Sequence, residues 1–390
     1  MKLLFPDDAY ESLRRRYARR HRSWLTGTGE WPHVLSLGAP TEREASEDAA
    51  HVRAWIEAWS SWTGSGGVAW SEVKWPKLGR QRLPIRLEHA SPAELGDVVG
   101  EGARFRQAWA RAEESVTRWA ALRCAPVLGR SFDVLADYPD ADYRKLLDLV
   151  SFLVEHPRSD LLPRQLPVEG IDTKWLETRR ALVVDFVRAL RPSDDAGDFF
   201  DACGLRRPPH RVRMRVLCPA LRRALGGLGD VEAPVDELVA IALAPSRVLI
   251  VENLETGLAL PDVPGTAAFM KLGHAVSSLA RVGWLRGVPA IYWGDIDTHG
   301  IAILDHARAA LGGGNNVTSI LMDEATLLAH RGLWGEEVSQ HRESDLPHLT
   351  PPERGLFDDL RASTWGPRVR LEQERIPWTV ALAALTRALA

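Results

Sequence analysis

The chain has 390 residues, 45% hydrophobic and 26% charged, so it carries enough apolar residues for two or three domains and is not a disordered polyelectrolyte. A net charge of −3 excludes a polycation, no apolar run approaches the ~20 residues of a bilayer span, and the N-terminus MKLLFPDDAYESLRRRYARRHRSWL lacks a secretory apolar core. Cys124, Cys203 and Cys218 are far apart with no CxxC spacing, which argues against a disulfide framework or a structural zinc site and fits a reducing cytoplasm.

Residues 1–125 are rich in Trp and Arg, with nine of the 15 tryptophans before residue 120. The run RRRYARRHR (14–22) has six arginines that surround a helix axis, so it reads as a solvated or partner-facing surface. Helical stretches at 43–61 and 103–124 flank Gly64–His89, where GVAWSEVKW and RLPIRLEH are candidates for a hairpin or small edge sheet. Exposed Trp and Arg are typical protein-docking anchors, so this region reads as one that docks a protein.

Residues 126–240 read as mostly helical and suit a winged-helix-like DNA-binding domain. DYRKLLDLVSFLVEHP has helical spacing and stops at Pro157. DTKWLETRRALVVDFVRALRP is a second helix, with Asp172 as N-cap and Pro192 after its end.

Residues 241–390 alternate. SRVLIVEN is a strand, GTAAFMKLGHAVSSLARVGWL a helix, VPAIYWGD a strand, and HGIAILDHARAAL a helix closed by Gly312-Gly313-Gly314. NVTSILMD is a third strand, and EATLLAHRG is the helix after it. This βαβαβ order implies a parallel sheet with helices on its faces, a Rossmann-like α/β domain within a multi-domain α+β chain.

In such sheets ligands gather at the carboxyl ends of the strands. The first strand ends in Glu252, the second in Asp295 and Asp297, the third in Asp323. Acids crowded together need positive charge among them, and hard cations prefer carboxylate oxygens, so a site for one or two Mg²⁺ or Mn²⁺ ions is expected. Two residues along a strand point the same way, so Asp295 and Asp297 reach one ion or two adjacent ones. Gly294 and Gly300 leave room for a phosphate or ion near the backbone. Asp297 and Asp323 are equally plausible helix caps, whereas no helix is expected directly after Glu252. This reading requires Glu252 within a few side-chain lengths of the aspartates, and these acids not buried in arginine bridges.

The pieces VLIVEN and YWGDIDTHG resemble the Toprim domain, in which a first-strand glutamate and a D-x-D bind Mg²⁺ for DNA strand cleavage. The more specific resemblance is to the JetD family (the MksG or EptD type), nuclease subunits of the bacterial Wadjet anti-plasmid system. RQLPVEGIDTKWLETRR, RVRMRVLCPAL, LTPPERGLFDDL and LEQERIPW carry it across most of residues 160–380. The resemblance implies an arm domain (1–125), a winged-helix part like that of the topoisomerase VI A subunit (126–240) and a Toprim domain (241–390). It implies that Glu252 acts as metal ligand or general base, that Asp295 and Asp297 are ligands, and that Glu372 and Glu374 lie near the same site. His299 either touches a phosphate or water or packs locally at its helix start. An SMC ATPase, a kleisin and a small winged-helix subunit are the implied partners, with closed circular plasmid DNA as substrate, a homodimer as the cutting unit and the nucleoid as location. The chain departs from topoisomerase VI in having no tyrosine within 144–291, so hydrolysis is expected in place of tyrosine attack.

Seven arginines and no acid occupy 206–223. Arg211, Arg213 and Arg215 alternate onto one strand face. With Arg164, Lys174, Arg179 and Arg180 they are the candidate phosphate contacts. No G-x-x-x-x-G-K-[ST] is present, so ATP use falls to a partner. Two other readings remain: a DNA-binding adaptor without activity, and a D-x-D phosphatase. The phosphatase motif needs Thr or Val where this chain has His299, and it gives Glu252 no role.

Overall fold

The structure, a computed structural model, describes residues 3–192, 197–312 and 316–389, so Gly313 and Gly314 of the expected glycine turn lie outside the described residues. The chain forms two compact units, Met1–Pro208 and Pro209–Ala390, each with its own apolar core.

In the first unit, α1 (Pro6–Trp24) starts on a proline with Asp7 and Asp8 in its first turn, both favourable at a helix N-terminus. Ala9, Leu13, Tyr17 and Trp24 form its buried stripe, and the arginines of the 14–22 run lie on the exposed remainder. The tryptophans are core more than surface. Trp55 and Trp59, one turn apart on α2 (Ala49–Ser60), are buried, and both indole N–H groups donate to the Leu4 carbonyl, at 3.0 and 2.8 Å. The expected hairpin is formed by β2 (Gly67–Trp75) and β3 (Gly79–His89), with β1 (His33–Ser36) on the other side of β3.

Helices α3 (Gly102–Arg118) and α4 (Asp140–Glu155) follow. The single helix expected from Asp172 is two, α5 (Thr173–Glu177) and α6 (Arg180–Leu190). Asp172 does cap the first, accepting from the Trp175 N–H at 2.7 Å. The break comes where Arg179 turns inward, its guanidinium over the Trp175 and Tyr138 rings and paired with Asp142 at 3.4 Å. The described residues of 126–208 contain helices and turns and no strand, and their apolar side chains share one core with those of 3–125.

The second unit is built on a six-stranded sheet of β4 (Arg211–Val216), β5 (Asp230–Pro234), β6 (Arg247–Val251), β7 (Thr266–Met270), β8 (Ala290–Trp293) and β9 (Val317–Ser319), in the order β5-β4-β7-β6-β8-β9. β7, β6, β8 and β9 run parallel, and β4 is antiparallel to β7 and β5. Residues 211–234 therefore belong to this sheet, and the division falls at Pro208/Pro209 instead of near residue 240. The cause is apolar: Val212, Met214 and Val216 are fully buried, and their strand pairs with β7 to cover them.

The expected helix over 265–285 is a second correction. Its first part is β7, all five residues buried between β4 and β6, and its second is a 3₁₀ turn at Gly273–Arg281. Positive φ at Gly265 (67°) and Lys271 (56°) confines TAAFM to a strand-length piece, and burial on both faces overrides the helix preference of its alanines.

Around the sheet lie α7 (Leu254–Ala259), α8 (Thr298–Ala310), α9 (Glu324–Ala329), α10 (Pro351–Ala362) and α11 (Trp378–Leu389), with a small pair of β10 (Gly335–Glu336) and β11 (Val369–Arg370). No described helix is long and apolar enough to cross a membrane.

One buried ion pair ties this layer together. Arg308 of α8 donates to both oxygens of Glu353 on α10, at 2.5 and 2.9 Å, and to the Val317 and His348 carbonyls. Burial opposes the charge on Glu353, but hydrogen bonds from Arg308, Ser319 and Thr350 outweigh it and lower the carboxyl to about 2. Removing one partner leaves a buried charge uncompensated. Glu353→Ala should cost roughly 3–5 kcal/mol in denaturant unfolding of the full chain; a cost below about 1 kcal/mol would show the pair to be dispensable.

Candidate active site

The site is built on one backbone bridge. Ile296, between the two aspartates, pairs antiparallel with Leu371, with N–H···O distances of 2.9 and 3.0 Å in the two directions. Both apolar side chains are fully buried. Side chains alternate along an extended chain, so Asp295 and Asp297 emerge together, facing Arg370 and Glu372 of the opposite segment. Arg370 Nη2 lies 2.5 Å from Asp295 Oδ2, its Nε 3.1 Å from Asp297 Oδ2, and its Nη1 3.5 Å from Glu372 Oε1. The Gln373 backbone N–H donates to Asp295 Oδ1 at 2.7 Å.

Glu252, at the end of β6, joins them. Its Oε2 accepts from the Asp295 backbone N–H at 3.3 Å and from the Tyr292 hydroxyl at 3.4 Å. Burial, then the charges of Asp295 and Asp297, raise its carboxyl to about 7. Asp297 is raised to about 6, mainly by burial and despite the hydrogen bond it accepts from the Gly300 N–H at 2.7 Å. Glu252, Asn253, Asp295, Arg370, Glu372 and Glu374 line one cleft of about 220 Å³. Glu374 accepts from Asn253 Nδ2 at 2.7 Å, and Glu372 also pairs with Arg375 at 2.9 Å.

The profile described as Wadjet protein JetD, C-terminal, matches residues 204–385, which enclose this whole cleft. The chain belongs to the Wadjet JetD family. Residues 6–188 match a second profile, described as an uncharacterized protein conserved in bacteria, N-terminal. No curated protein matches the chain. Membership gives this JetD-family chain a role in the Wadjet anti-plasmid system.

The structure brings together Glu252, Asp295, Asp297, Glu372 and Glu374 from the sequence reading, and it leaves two candidates apart. Asp323 caps α9, its Oδ1 accepting from the Thr326 N–H at 2.7 Å, and it lines a different cleft with Glu353 and Asp359. His299 turns its ring toward His274, His341 and the Ser339 carbonyl. A helix does follow Glu252: Asn253 caps α7 through the Thr256 N–H at 2.8 Å. The space at the two glycines is filled by protein. A Cβ on Gly300 would lie 2.2 Å from the Asp295 carbonyl oxygen, and one on Gly294 would lie 2.7 Å from Glu252 Oε2.

The largest correction is Arg370. The acids do not stand alone: one guanidinium, its side chain 31% exposed, bridges both buried aspartates, so the expectation that they lie free of arginine bridges is not met. Sequence reasoning missed it, along with Gln373, whose amide holds the Trp293 carbonyl at 2.9 Å and the Asn253 N–H at 2.8 Å. The only available signal was their position beside Glu372 in VRLEQER.

Most of the expected phosphate contacts are engaged within the protein. Arg213 forms a bidentate pair with Asp230 at 2.8 and 3.0 Å. Arg211 pairs with Glu232, and Arg215 caps α7 through the Gly257, Leu258 and Leu260 carbonyls. Arg180 stacks over Phe199 and Phe200, and Arg179 is turned inward. Arg164 and Lys174 are exposed and have no side-chain partner among the described residues.

The raised Glu252 has a consequence for stability. Between its ordinary value of 4.5 and about 7, the folded protein keeps a proton that the unfolded chain has lost. Stability therefore falls as pH rises through that window. In buffer with a chelator, Glu252→Gln should unfold at a higher temperature than the parent at pH 8, with the gap closing by pH 4.5. A gap independent of pH would refute the burial of this carboxyl.

Proposed function

We propose that this JetD-family chain is the metal-dependent DNA endonuclease of a Wadjet complex, cutting closed circular plasmid DNA by hydrolysis from a Toprim-type site. The observation that carries the reading is the meeting of Glu252, Asp295 and Asp297 at the carboxyl ends of the parallel strands β6 and β8 of a mixed sheet. The acids facing the cleft offer oxygen ligands and outnumber the cations beside them, and Glu252 is raised first by burial and then by its acidic neighbours. Such a set fits a hard divalent ion. Glu252, Asp295 and Asp297 would hold Mg²⁺ or Mn²⁺, with Glu372 and Glu374 at the mouth. A bound ion supplies water activation and charge stabilisation at the phosphate.

The chain's own groups do the rest. Glu252 would either complete the ligand set or, left off the ion, accept the proton of the attacking water. Arg370 offsets the charge of Asp295 and Asp297 and, with its side chain partly exposed at the cleft, would be placed to meet a DNA phosphate. Tyr292, the tyrosine at the site, is a poor nucleophile: burial pushes its phenol well above the ordinary value, and its hydroxyl also donates to the Gly300 carbonyl. Arg164 and Lys174 hold the DNA backbone without reading sequence. The arm region (1–125) docks the SMC ATPase, kleisin and winged-helix subunits of the complex. Two copies of the chain cut one strand each.

The adaptor reading draws on one observation, the arginine bridge across Asp295 and Asp297. Incubating supercoiled plasmid with the chain and its partner subunits in Mg²⁺ or Mn²⁺ separates the two. The nuclease reading expects nicked and linear DNA, with Glu252→Ala slower by roughly 100-fold or more at unchanged DNA affinity. A plasmid left intact by the parent complex sinks it. Arg164→Glu with Lys174→Glu should weaken DNA binding for every sequence and lower the salt slope by about 2; an unchanged slope would remove both residues from the DNA-contacting surface.

A further inference from the structure

Away from the carboxylate cleft, four histidines from distant parts of the chain meet. His274 comes from the 3₁₀ turn, His299 and His306 from α8, and His341 from the segment after β10. Ring centroids of His274 lie 5.6, 5.7 and 5.5 Å from those of His299, His306 and His341, and His299 and His341 are 5.2 Å apart. His274, His299 and His341 each turn one ring nitrogen inward, and the three atoms lie within 4.8 Å of one another.

Three features are those of a ligand set. His274 Nε2 and His299 Nδ1 are 3.3 Å apart, and two nitrogens on a tetrahedral zinc ion at ~2.1 Å each stand ~3.4 Å apart. His299 Nε2 faces the Ser339 carbonyl at 3.0 Å, so it carries the proton and leaves the Nδ1 lone pair toward His274; such an outer hydrogen bond is the usual way a ligating imidazole is oriented. His341 Nε2 is buried and falls short of a hydrogen bond among the described residues, facing Glu343 Oε2 at 3.6 Å. A buried polar atom left in that state is costly.

We propose that His274, His299 and His341 form a Zn²⁺ site, with Glu343 or water as fourth ligand. Glu343 Oε2 lies 3.6 Å from His341 Nε2 and 3.8 Å from His306 Nε2, within reach of the cluster. Imidazoles select Zn²⁺ over the Mg²⁺ that carboxylates prefer. The cysteine spacing gave no hint of this site because its donors are histidines. The ion would cross-link the 3₁₀ turn, α8 and the segment after β10, and it would do so two residues from Asp297. The site stands whether or not the carboxylate cleft cuts DNA.

The test uses the full chain, stripped with chelator and titrated with Zn²⁺ alone by calorimetry, and with Co²⁺ read by its visible absorption. The parent should bind one equivalent and give the intense bands of tetrahedral Co²⁺. Glu252→Gln should keep both signals. His274→Ala should bind Zn²⁺ weaker by roughly tenfold or more and lose the bands. If circular dichroism shows His274→Ala to be unfolded, His341→Gln replaces it in the same titration. A parent without tetrahedral Co²⁺ bands, or a histidine variant with parental affinity, overturns the site. So does loss of the signal in Glu252→Gln, which would move the ion to the carboxylates.

Discussion

The second unit depends on the containment of negative charge at one sheet edge. Buried carboxylates repel one another and resist losing water. They are held close because the backbone that carries them is fixed by groups that do not titrate. The Ile296–Leu371 bridge sets the facing of Asp295 and Asp297, two buried apolar side chains lock that bridge, and Gln373 fastens it to the ends of β6 and β8. Arg370 then offsets part of the charge. The raised carboxyl of Glu252 reflects its burial first and the remaining charge of the two aspartates second.

Much of this was legible in the sequence. The alternation SRVLIVEN, VPAIYWGD, HGIAILDHARAAL and NVTSILMD became β6, β8, α8 and β9, because strands covered on both faces are written as short unbroken apolar runs. The acids at their ends could be read from the same rule. What escaped depends on long-range contact. TAAFM reads as helix by composition and becomes β7 only because β4 and β6 enclose it. Arg370 stands 75 positions from Asp295, and no local pattern announces a pairing across that distance. The same blindness separated 126–208 from the arm, although the two share one core.

Arginine counts proved a poor guide to free charge. The run from Arg206 to Arg223 looked like an open basic face, yet Arg206, Arg207, Arg213 and Arg222 pair with Asp160, Asp198, Asp230 and Asp262. A strand face of arginines beside a strand of acids is a ladder of cross-strand pairs, as β4 and β5 demonstrate. Basic residues without acidic partners are the more informative ones, and Arg164 and Lys174 belong to that smaller group.

The course of β4 and β5 also constrains inheritance. β7 is buried along its whole length, and its outer hydrogen-bonding side is satisfied by β4 alone. A recombination event that joined this sheet to a new partner after residue 234 would strand β7 as an apolar border with unpaired amides, an invitation to aggregate. Lineages that shuffle the C-terminal module must therefore carry the Arg211–Pro234 hairpin with it, and the seam tolerant of exchange lies at the two prolines, Pro208 and Pro209.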